Sequence, residues 1–521
     1  MAPAEFGSKN QRVERLRLSR RGFLAVTALL GVARGVRAEG VTSSRLRSVL
    51  EVEFEALGRW AKSVGGRFAA SFVDVASGAE IASSFADAPM NPASNQKLVT
   101  AGVALRHLGP RYTFTAGLYG QITAGRVVEL VLRAAGDPSL THGDLEAFAK
   151  TLAEKGVRGV GDVLVDQSAF DEHFVPPGFE QQPDEWAPFR APVSAVALDR
   201  NSVLVSIVPA ERGAPAKVLF EPQGFVDVEG QIKTTPRGAR PLARVGLAAN
   251  GERLVAKVSG SVPEGSEPIR YRQRVDDPRL LAGYALGNAL AVAGIAVSGA
   301  VRSGGSAQKN ELVSRKSRPL AELLPELGKQ SDNFYAETLL KTVALEARGR
   351  PASSAAGAEV ATAWLKEIGA WEPPVHVGNG SGLFDANRLT ARSLARLLVS
   401  VQKNADLSAP FLAQLAVGGV DGTLRGRFTK LAQRRTVVAK TGTLRDVVAL
   451  SGYVMDPDRT RPVAFSLLLN GIAGRAPAGR QRIDRIVELV ANELNPSREP
   501  VSPAFQSRAE TTAQPQVRAT Q

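Results

Sequence analysis

Between residues 46 and 60 the apolar side chains fall at Leu46, Leu50, Phe54, Leu57 and Trp60. That spacing of three and four predicts an amphipathic helix. The period then changes: RFAASFVDVASGAEIASSF holds two alternating runs meeting at Ser77-Gly78, which predicts a β-hairpin. Next, Pro92 stands just before Ser94, and the apolar run LVTAGVALRHLG continues until Gly109-Pro110 stops it. This predicts a helix opening at or near Ser94, with Lys97 one turn in and on the same face.

Residues 111–304 have a different texture. YTFTAGLYG, RVVELVLRAAGDP, GDVLVDQSAF, NSVLVSIVP and RLVAKVSG read as short strands between Gly/Pro turns. DLEAFAKTLAEKGV and DPRLLAGYALGNALAVAG read as helices, the second feeding a strand in IAVSGAVRSG. SGGSAQKN, residues 303–310, reads as a boundary loop. Beyond it come helical patterns in PLAELLPELGKQ, NFYAETLLKTVALEA, ATAWLKEIG and LTARSLARLLVSVQK. The last third returns to strands: TVVAKTGT, VVALSGYVM and RPVAFSLLLNGI, the last two joined by a turn at Asp456-Pro457-Asp458. A final amphipathic helix covers QRIDRIVELVANEL. A helix and hairpin at one end and strands and a helix at the other thus enclose a helical block and a long β-rich insertion.

Composition changes the picture at the ends. With 44% hydrophobic and 22% charged residues over 521 positions, the body is globular and long enough for two to four domains. The net charge of +14 is concentrated early: residues 1–38 hold eight Lys/Arg and two Asp/Glu, leaving +8 for the rest. That remainder fits a solvated basic surface or attraction to an anionic polymer such as cell-wall material. No basic run interleaved with aromatics points to nucleic acid. Residues 1–38 read as a signal peptide: a basic lead, the apolar run GFLAVTALLGVA, and Val36-Arg37-Ala38 as a cleavage site. Ser19-Arg20-Arg21-Gly22-Phe23-Leu24 resembles the twin-arginine export signature, with the ordinary secretory route left open. The expected location is therefore the periplasm or cell envelope. No later stretch is apolar enough for a transmembrane anchor, and residues 495–521, rich in Pro, Ser, Thr, Gln and Ala, are expected to be disordered.

The candidate chemistry is narrow. There are no cysteines, which excludes thiol nucleophiles and thiolate metal sites. His107, His142, His173 and His376 lie far apart without ligand spacing, so neither a zinc hydrolase nor a Ser-His-Asp triad is favoured. Three Ser-x-x-Lys pairs remain: Ser94 with Lys97, Ser306 with Lys309, and Ser400 with Lys403. A nucleophilic serine needs a base held within hydrogen-bond reach. Ser306 lies in the predicted loop and Ser400 near a helix end. Ser94 opens a helix, whose free N–H groups and positive dipole end suit a developing oxyanion.

Two further stretches bear on the choice. Ser331-Asp332-Asn333 opens the helix FYAETLLK, and Lys440-Thr441-Gly442-Thr443 ends a predicted strand. Alone, the first is a good N-cap cluster and the second a strand end with a turn glycine. With Ser-x-x-Lys they form the signature shared by penicillin-binding proteins and class A β-lactamases. Ser400 falls after Ser331, so the chain order fits Ser94.

Ser94 and Ser331 stand 237 residues apart. A long insertion there resembles the penicillin-binding protein 4 group, the D-alanyl-D-alanine carboxypeptidase/endopeptidases of peptidase family S13. GDPSL (136–140), GDVLVD (161–166), GNGSGL (378–383) and GVDGTLRGR (419–427) are similar to that family as well, and the resemblance runs from about 45 to 493. Asn379 departs from it, standing where an acidic residue is expected.

The resemblance implies an α+β fold: a β-lactamase/transpeptidase-like domain, with an antiparallel sheet flanked by helices and an all-helical block. Residues 39–110 and 305–494 would form it, and residues 111–304 one or two inserted β-rich domains. It implies that Ser94 attacks the penultimate D-alanine carbonyl and that Lys97, neutral in the reactive form, takes the proton. Bringing a lysine from about 10.4 to near 7 requires roughly 4 to 5 kcal/mol, from burial and the like charge of Lys440. Ser331 would relay a proton to the leaving amine and Asn333 hold the substrate amide. Lys440 and Thr441 would bind the terminal carboxylate, Gly442 permit close approach, and the N–H groups of Ser94 and Thr443 form the oxyanion hole. Asp166 would approach the cleft from the insertion. No metal or organic cofactor is required. The implied partners are peptidoglycan peptides and β-lactams, with a homodimer left open. A β-lactamase and a non-catalytic wall-binding protein are the rival readings.

Overall fold

The computed structural model describes residues 44–495 apart from 435, 457 and 459. The expected signal peptide, Pro457 of the predicted turn and the tail from 496 onward lie outside the described residues. Asn495, assigned above to the tail, belongs to the fold. It is buried, and its Nδ2 donates to Met455 O at 3.1 Å and Ala491 O at 2.9 Å.

The catalytic sheet has six antiparallel strands in the order Ala416–Val417, Val437–Thr443, Val447–Val454, Val463–Asn470, Arg67–Asp74, Glu80–Ser84. Chain ends meet in it: Arg67 pairs with Asn470 and Asp74 with Val463. On one face pack the helix 44–63 and the helix Ala476–Leu494. Leu46, Leu50, Phe54 and Leu57 of the first are buried there, as the helical spacing predicts. Phe72 stacks on Phe465 with ring centres 5.5 Å apart, joining the N-terminal hairpin to a C-terminal strand through the core.

The other face carries the helical block: Gln96–Leu108, Leu320–Gly328, Asn333–Arg348, Ser354–Glu367, Ala391–Lys403 and Ala405–Gln414. Gln96–Leu108 is buried at every position from 96 to 105, which explains why the stretch from Leu98 to Leu105 is a near-continuous apolar run rather than a stripe. The helix Ala405–Gln414 was not evident in the sequence, because Pro410 breaks the pattern. Asn404 caps it, its Oδ1 accepting from Asp406 N (3.0 Å) and Leu407 N (3.2 Å).

The inserted region has two hydrophobic clusters. In the first, Arg126–Arg133 and Gly159–Asp166 run parallel, linked by the helix His142–Glu154. The sheet does not end at residue 304. Glu311–Lys316 pairs with Thr115–Tyr119, so the supposed boundary loop is a connection within this sheet. Arg133 pins that connection by donating to Ser306 O (3.0 Å) and Gln308 O (3.2 Å). The second cluster lies under short strands such as Ser202–Val208, Lys217–Glu221 and Ile269–Arg274. No helix among the described residues is long and apolar enough to cross a membrane.

Candidate active site

Ser94 stands in a 3-10 turn, Ala93–Asn95, that runs directly into Gln96–Leu108. Ala93 has φ +45°, a conformation costing a non-glycine residue on the order of 1–2 kcal/mol. Its neighbours hold it there. Asn91 Oδ1 accepts from Ala93 N at 2.9 Å, while Asn91 N donates to Asn470 Oδ1 (2.7 Å) and Asn470 Nδ2 returns a bond to Asn91 O (3.0 Å). The end of one catalytic strand thus seats the serine.

Two glycines complete the seat. A Cβ on Gly382 would lie 1.8 Å from Ala93 O, and one on Gly442 would lie 2.9 Å from Pro92 O. Gly442 therefore lets the serine turn press against the strand Val437–Thr443, a role within the protein that its place in the Lys-Thr-Gly stretch did not reveal.

Lys97 is buried beneath Ser94. Its Nζ makes three contacts: Ser94 Oγ at 3.0 Å, Asn333 Oδ1 at 2.7 Å and Ser381 O at 2.9 Å. Three acceptors match the three N–H bonds of an ammonium. In the neutral amine one contact can reverse, with the Ser94 hydroxyl donating to Nζ. Burial brings the Lys97 pKa down to about 7, against the opposing charges of Glu337 and Asp332. Desolvation does the main work, and the like charge of Lys440 is not what depresses it. Lys440 is also fully buried; its Nζ donates to Ser331 Oγ at 2.8 Å and Thr441 O at 2.9 Å. Burial, then the charge of Lys97, pushes its pKa well below that of a free lysine.

Ser331 has φ +60° and faces Lys440. Asp332 caps the helix Asn333–Arg348, its Oδ1 accepting from Tyr335 N at 3.1 Å. Capping and site geometry thus coexist in this tripeptide. Asn333 is oriented at both ends: Oδ1 faces Lys97, and Nδ2 donates to Phe189 O of the inserted region at 2.9 Å. Thr441 Oγ1 lies 2.9 Å from Thr423 Oγ1, which places the GVDGTLRGR stretch against the Lys-Thr-Gly strand. Ser94, Ser331, Asn333 and Thr443 all line one cleft of about 890 Å³. Arg67, Arg388 and Arg445 stand at its walls with Asp385 and Asp446.

Asp166 does not join them. It is buried in the insertion, where its carboxylate accepts from Arg133 Nε (2.7 Å), Ser168 N (3.1 Å) and Ser168 Oγ (2.6 Å). With those partners it is a structural ion pair away from the cleft lining. Among the rejected pairs, Lys309 and Lys403 are exposed.

Asn379 explains itself. Its Nδ2 donates to Pro177 O (2.8 Å) and Leu383 O (3.1 Å), and its Oδ1 accepts from Gly382 N (2.9 Å) and Asn387 Nδ2 (2.7 Å). A carboxylate could accept the last two bonds but not donate the first two.

The sequence reading missed Glu337, one helical turn beyond Asn333. It is buried, with Oε1 accepting from Ser381 N (2.7 Å) and Oε2 from Gly380 N (3.0 Å). Burial raises its pKa; bonds from Ser381 and Gly380, then the charge of Lys97, pull the other way. A glutamate on the apolar side of FYAETLLK was the available signal. Among the described residues no group of three or more His, Asp or Glu is arranged to hold a metal ion.

Comparisons with known proteins identify the family. The model of the D-Ala-D-Ala carboxypeptidase 3 (S13) family matches residues 60–493. The D-alanyl-D-alanine carboxypeptidase of Actinomadura sp. strain R39 is 33% identical over 435 residues, 78% of this chain and 78% of its own length. The crystal structure of penicillin binding protein 4 from Haemophilus influenzae superposes with a TM-score of 0.71 at 26% identity, covering 82% of this chain and 97% of that one. A second structure of the same Haemophilus influenzae protein, complexed with a β-lactam, gives 0.66 at 25% identity, covering 82% and 96%.

Proposed function

Since the chain belongs to the D-Ala-D-Ala carboxypeptidase 3 (S13) family, we propose that it hydrolyses the D-Ala-D-Ala ends of peptidoglycan stem peptides through an acyl-enzyme on Ser94. The observation that carries this reading is the contact of the buried Lys97 Nζ with Ser94 Oγ at 3.0 Å. Ser94 Oγ forms a bond to the carbonyl carbon while its proton passes to Lys97 Nζ. The C–N bond then breaks as Ser331 hands its hydroxyl proton to the departing D-alanine amine and takes one from Lys440 Nζ. Water then attacks the ester, its proton returning to Lys440 through Ser331, while Lys97 gives its proton back to Ser94 Oγ and the shortened peptide leaves. The N–H groups of Ser94 and Thr443 serve as oxyanion donors, each worth on the order of 3 kcal/mol.

Lys440 and Thr441 take the substrate's terminal carboxylate. In the free enzyme Lys440 sheds its proton readily, and an arriving carboxylate restores the charge by pairing with it. A β-lactam replaces the scissile amide with a strained ring amide whose amine stays tethered, so the acyl-enzyme persists. We extend the reading to D,D-endopeptidase action, in which the same acyl-enzyme forms from a cross-linked stem. We also extend the reading to a location in the periplasm or cell envelope, which the substrate chemistry and the expected signal peptide support.

Intact-mass spectrometry after incubation with penicillin tests the reading. One stable adduct per chain is expected, absent in Ser94→Ala. No adduct on the wild type, an adduct retained by Ser94→Ala, or rapid drug turnover would overturn it. Because Lys97 must be neutral, the acylation rate should rise with pH through about 7. Product analysis with cross-linked and uncross-linked muropeptides divides the two peptidase activities.

A further inference from the structure

The inserted region reaches the active site at the Ser331-Asp332-Asn333 turn. Phe189 O accepts from Asn333 Nδ2, and Arg200 Nε donates to Asp332 Oδ2 at 2.6 Å. Arg200 Nη2 also donates to Glu326 Oε2 at 3.2 Å, and its guanidinium stands 5.2 Å from the centre of the Tyr335 ring. One side chain thus grips the residue before the Asn333–Arg348 helix, the helix's first turn, and the preceding helix Leu320–Gly328.

The backbone that presents Arg200 is unusual. Asp199, Arg200 and Asn201 have φ of +46°, +58° and +47°, three left-handed residues in a row with no glycine. Such a run persists only where the surroundings impose it. Here Asn201 Nδ2 donates to Pro192 O (2.9 Å) and Ser194 Oγ (3.0 Å), and Asp199 N donates to Leu140 O (3.1 Å). The Asp199 carboxylate is held by His142 Nδ1 and by Arg272 Nη2 (3.1 Å). The turn is clamped on both sides, and Arg200 is what it projects toward the site.

We propose that Arg200 is a positioning residue for the reaction, fixing the Ser331-Asp332-Asn333 turn from the inserted region and offsetting the charge of Asp332. This rests on the reading of Lys97 as general base. The groups facing Lys97 are Glu337 of the helix Asn333–Arg348, Asp332 at its cap, and Lys440 of the strand Val437–Thr443; its own helix has no acid in its first turn. Asp332 favours the charged form of Lys97. Without a guanidinium on Asp332 that influence grows, and Lys97 stays protonated to higher pH.

The test is the pH profile of penicillin acylation in the full chain. Arg200→Gln should move the acid limb upward by about half a pH unit, a roughly threefold loss below the midpoint, with less effect on the alkaline plateau. Arg200→Lys should keep the wild-type limb. Asp332→Asn should move it the opposite way, and the double variant should return toward wild type. These opposite signs keep the test decisive if one variant folds poorly, and melting curves run alongside. A limb unmoved in Arg200→Gln, or a uniform loss at every pH, overturns the inference. A wild-type profile with no limb near neutrality overturns the Lys97 assignment itself, and the inference with it.

Discussion

Val447–Val454 and Val463–Asn470 are buried at all eight positions each, whereas Val226–Gly230 buries one residue of five and Arg244–Asn250 one of seven. All four are β-strands, but they do different work. The catalytic strands lie between helices on both faces, and Asn470 at the end of one of them seats the serine turn. Val226–Gly230 and Arg244–Asn250, in the second inserted cluster, each bury one side chain and leave most of the others in water. Phe189 and Arg200, through which the insertion meets the site, lie outside those strands, so substitutions on Val226–Gly230 and Arg244–Asn250 should leave chemistry intact.

That contrast can be broken at several strengths. Lys97→Met should lower the acylation rate about a thousandfold, the middle of the range for losing a general base, as read by stopped-flow penicillin binding. A loss under tenfold would mean another group takes the proton. Gly382→Ala adds a Cβ 1.8 Å from Ala93 O at a residue with φ +76°. It should lower unfolding stability by about 3 kcal/mol in urea titration and depress acylation with it. Asn379→Asp removes the donors to Pro177 O and Leu383 O and puts a carboxylate at a buried position, and should cost about 1–3 kcal/mol by the same titration. Val228→Thr, at a position 44% exposed in the insertion, should stay within about 0.5 kcal/mol of wild type with an unchanged acylation rate. A larger effect there would show that the insertion is coupled to the catalytic sheet more tightly than its contacts suggest.

The same contrast governs how much could be read from the sequence. VVALSGYVM and RPVAFSLLLNGI announce themselves because burial on both faces demands continuous apolar runs. RVGLAAN and VDVEG do not, since one buried residue leaves no period to detect. Within the site, Ser94, Lys97, Ser331, Asn333 and Lys440 were legible as motifs, and the structure brings them together. Asp166 was a misreading: its GDVLVD stretch is a buried strand whose carboxylate answers Arg133. Arg200 carried no signal, because its partner Asp332 lies 132 residues away and no short pattern links them. Asn91 and Asn470 were hidden for the same reason, being partners across 379 residues.

The pairing of Arg67–Asp74 with Val463–Asn470 has a consequence for biosynthesis. Roughly 390 residues separate the two strands, and at ribosomal rates of 5–20 residues per second they take about 20 to 80 s to make. Throughout that interval the N-terminal hairpin presents an unpaired edge, and the serine turn lacks the Asn470 contact that seats it. The nucleophile is encoded early but armed last. A chain cut short before residue 463 would therefore carry Ser94 and Lys97 yet have no active site in which to use them.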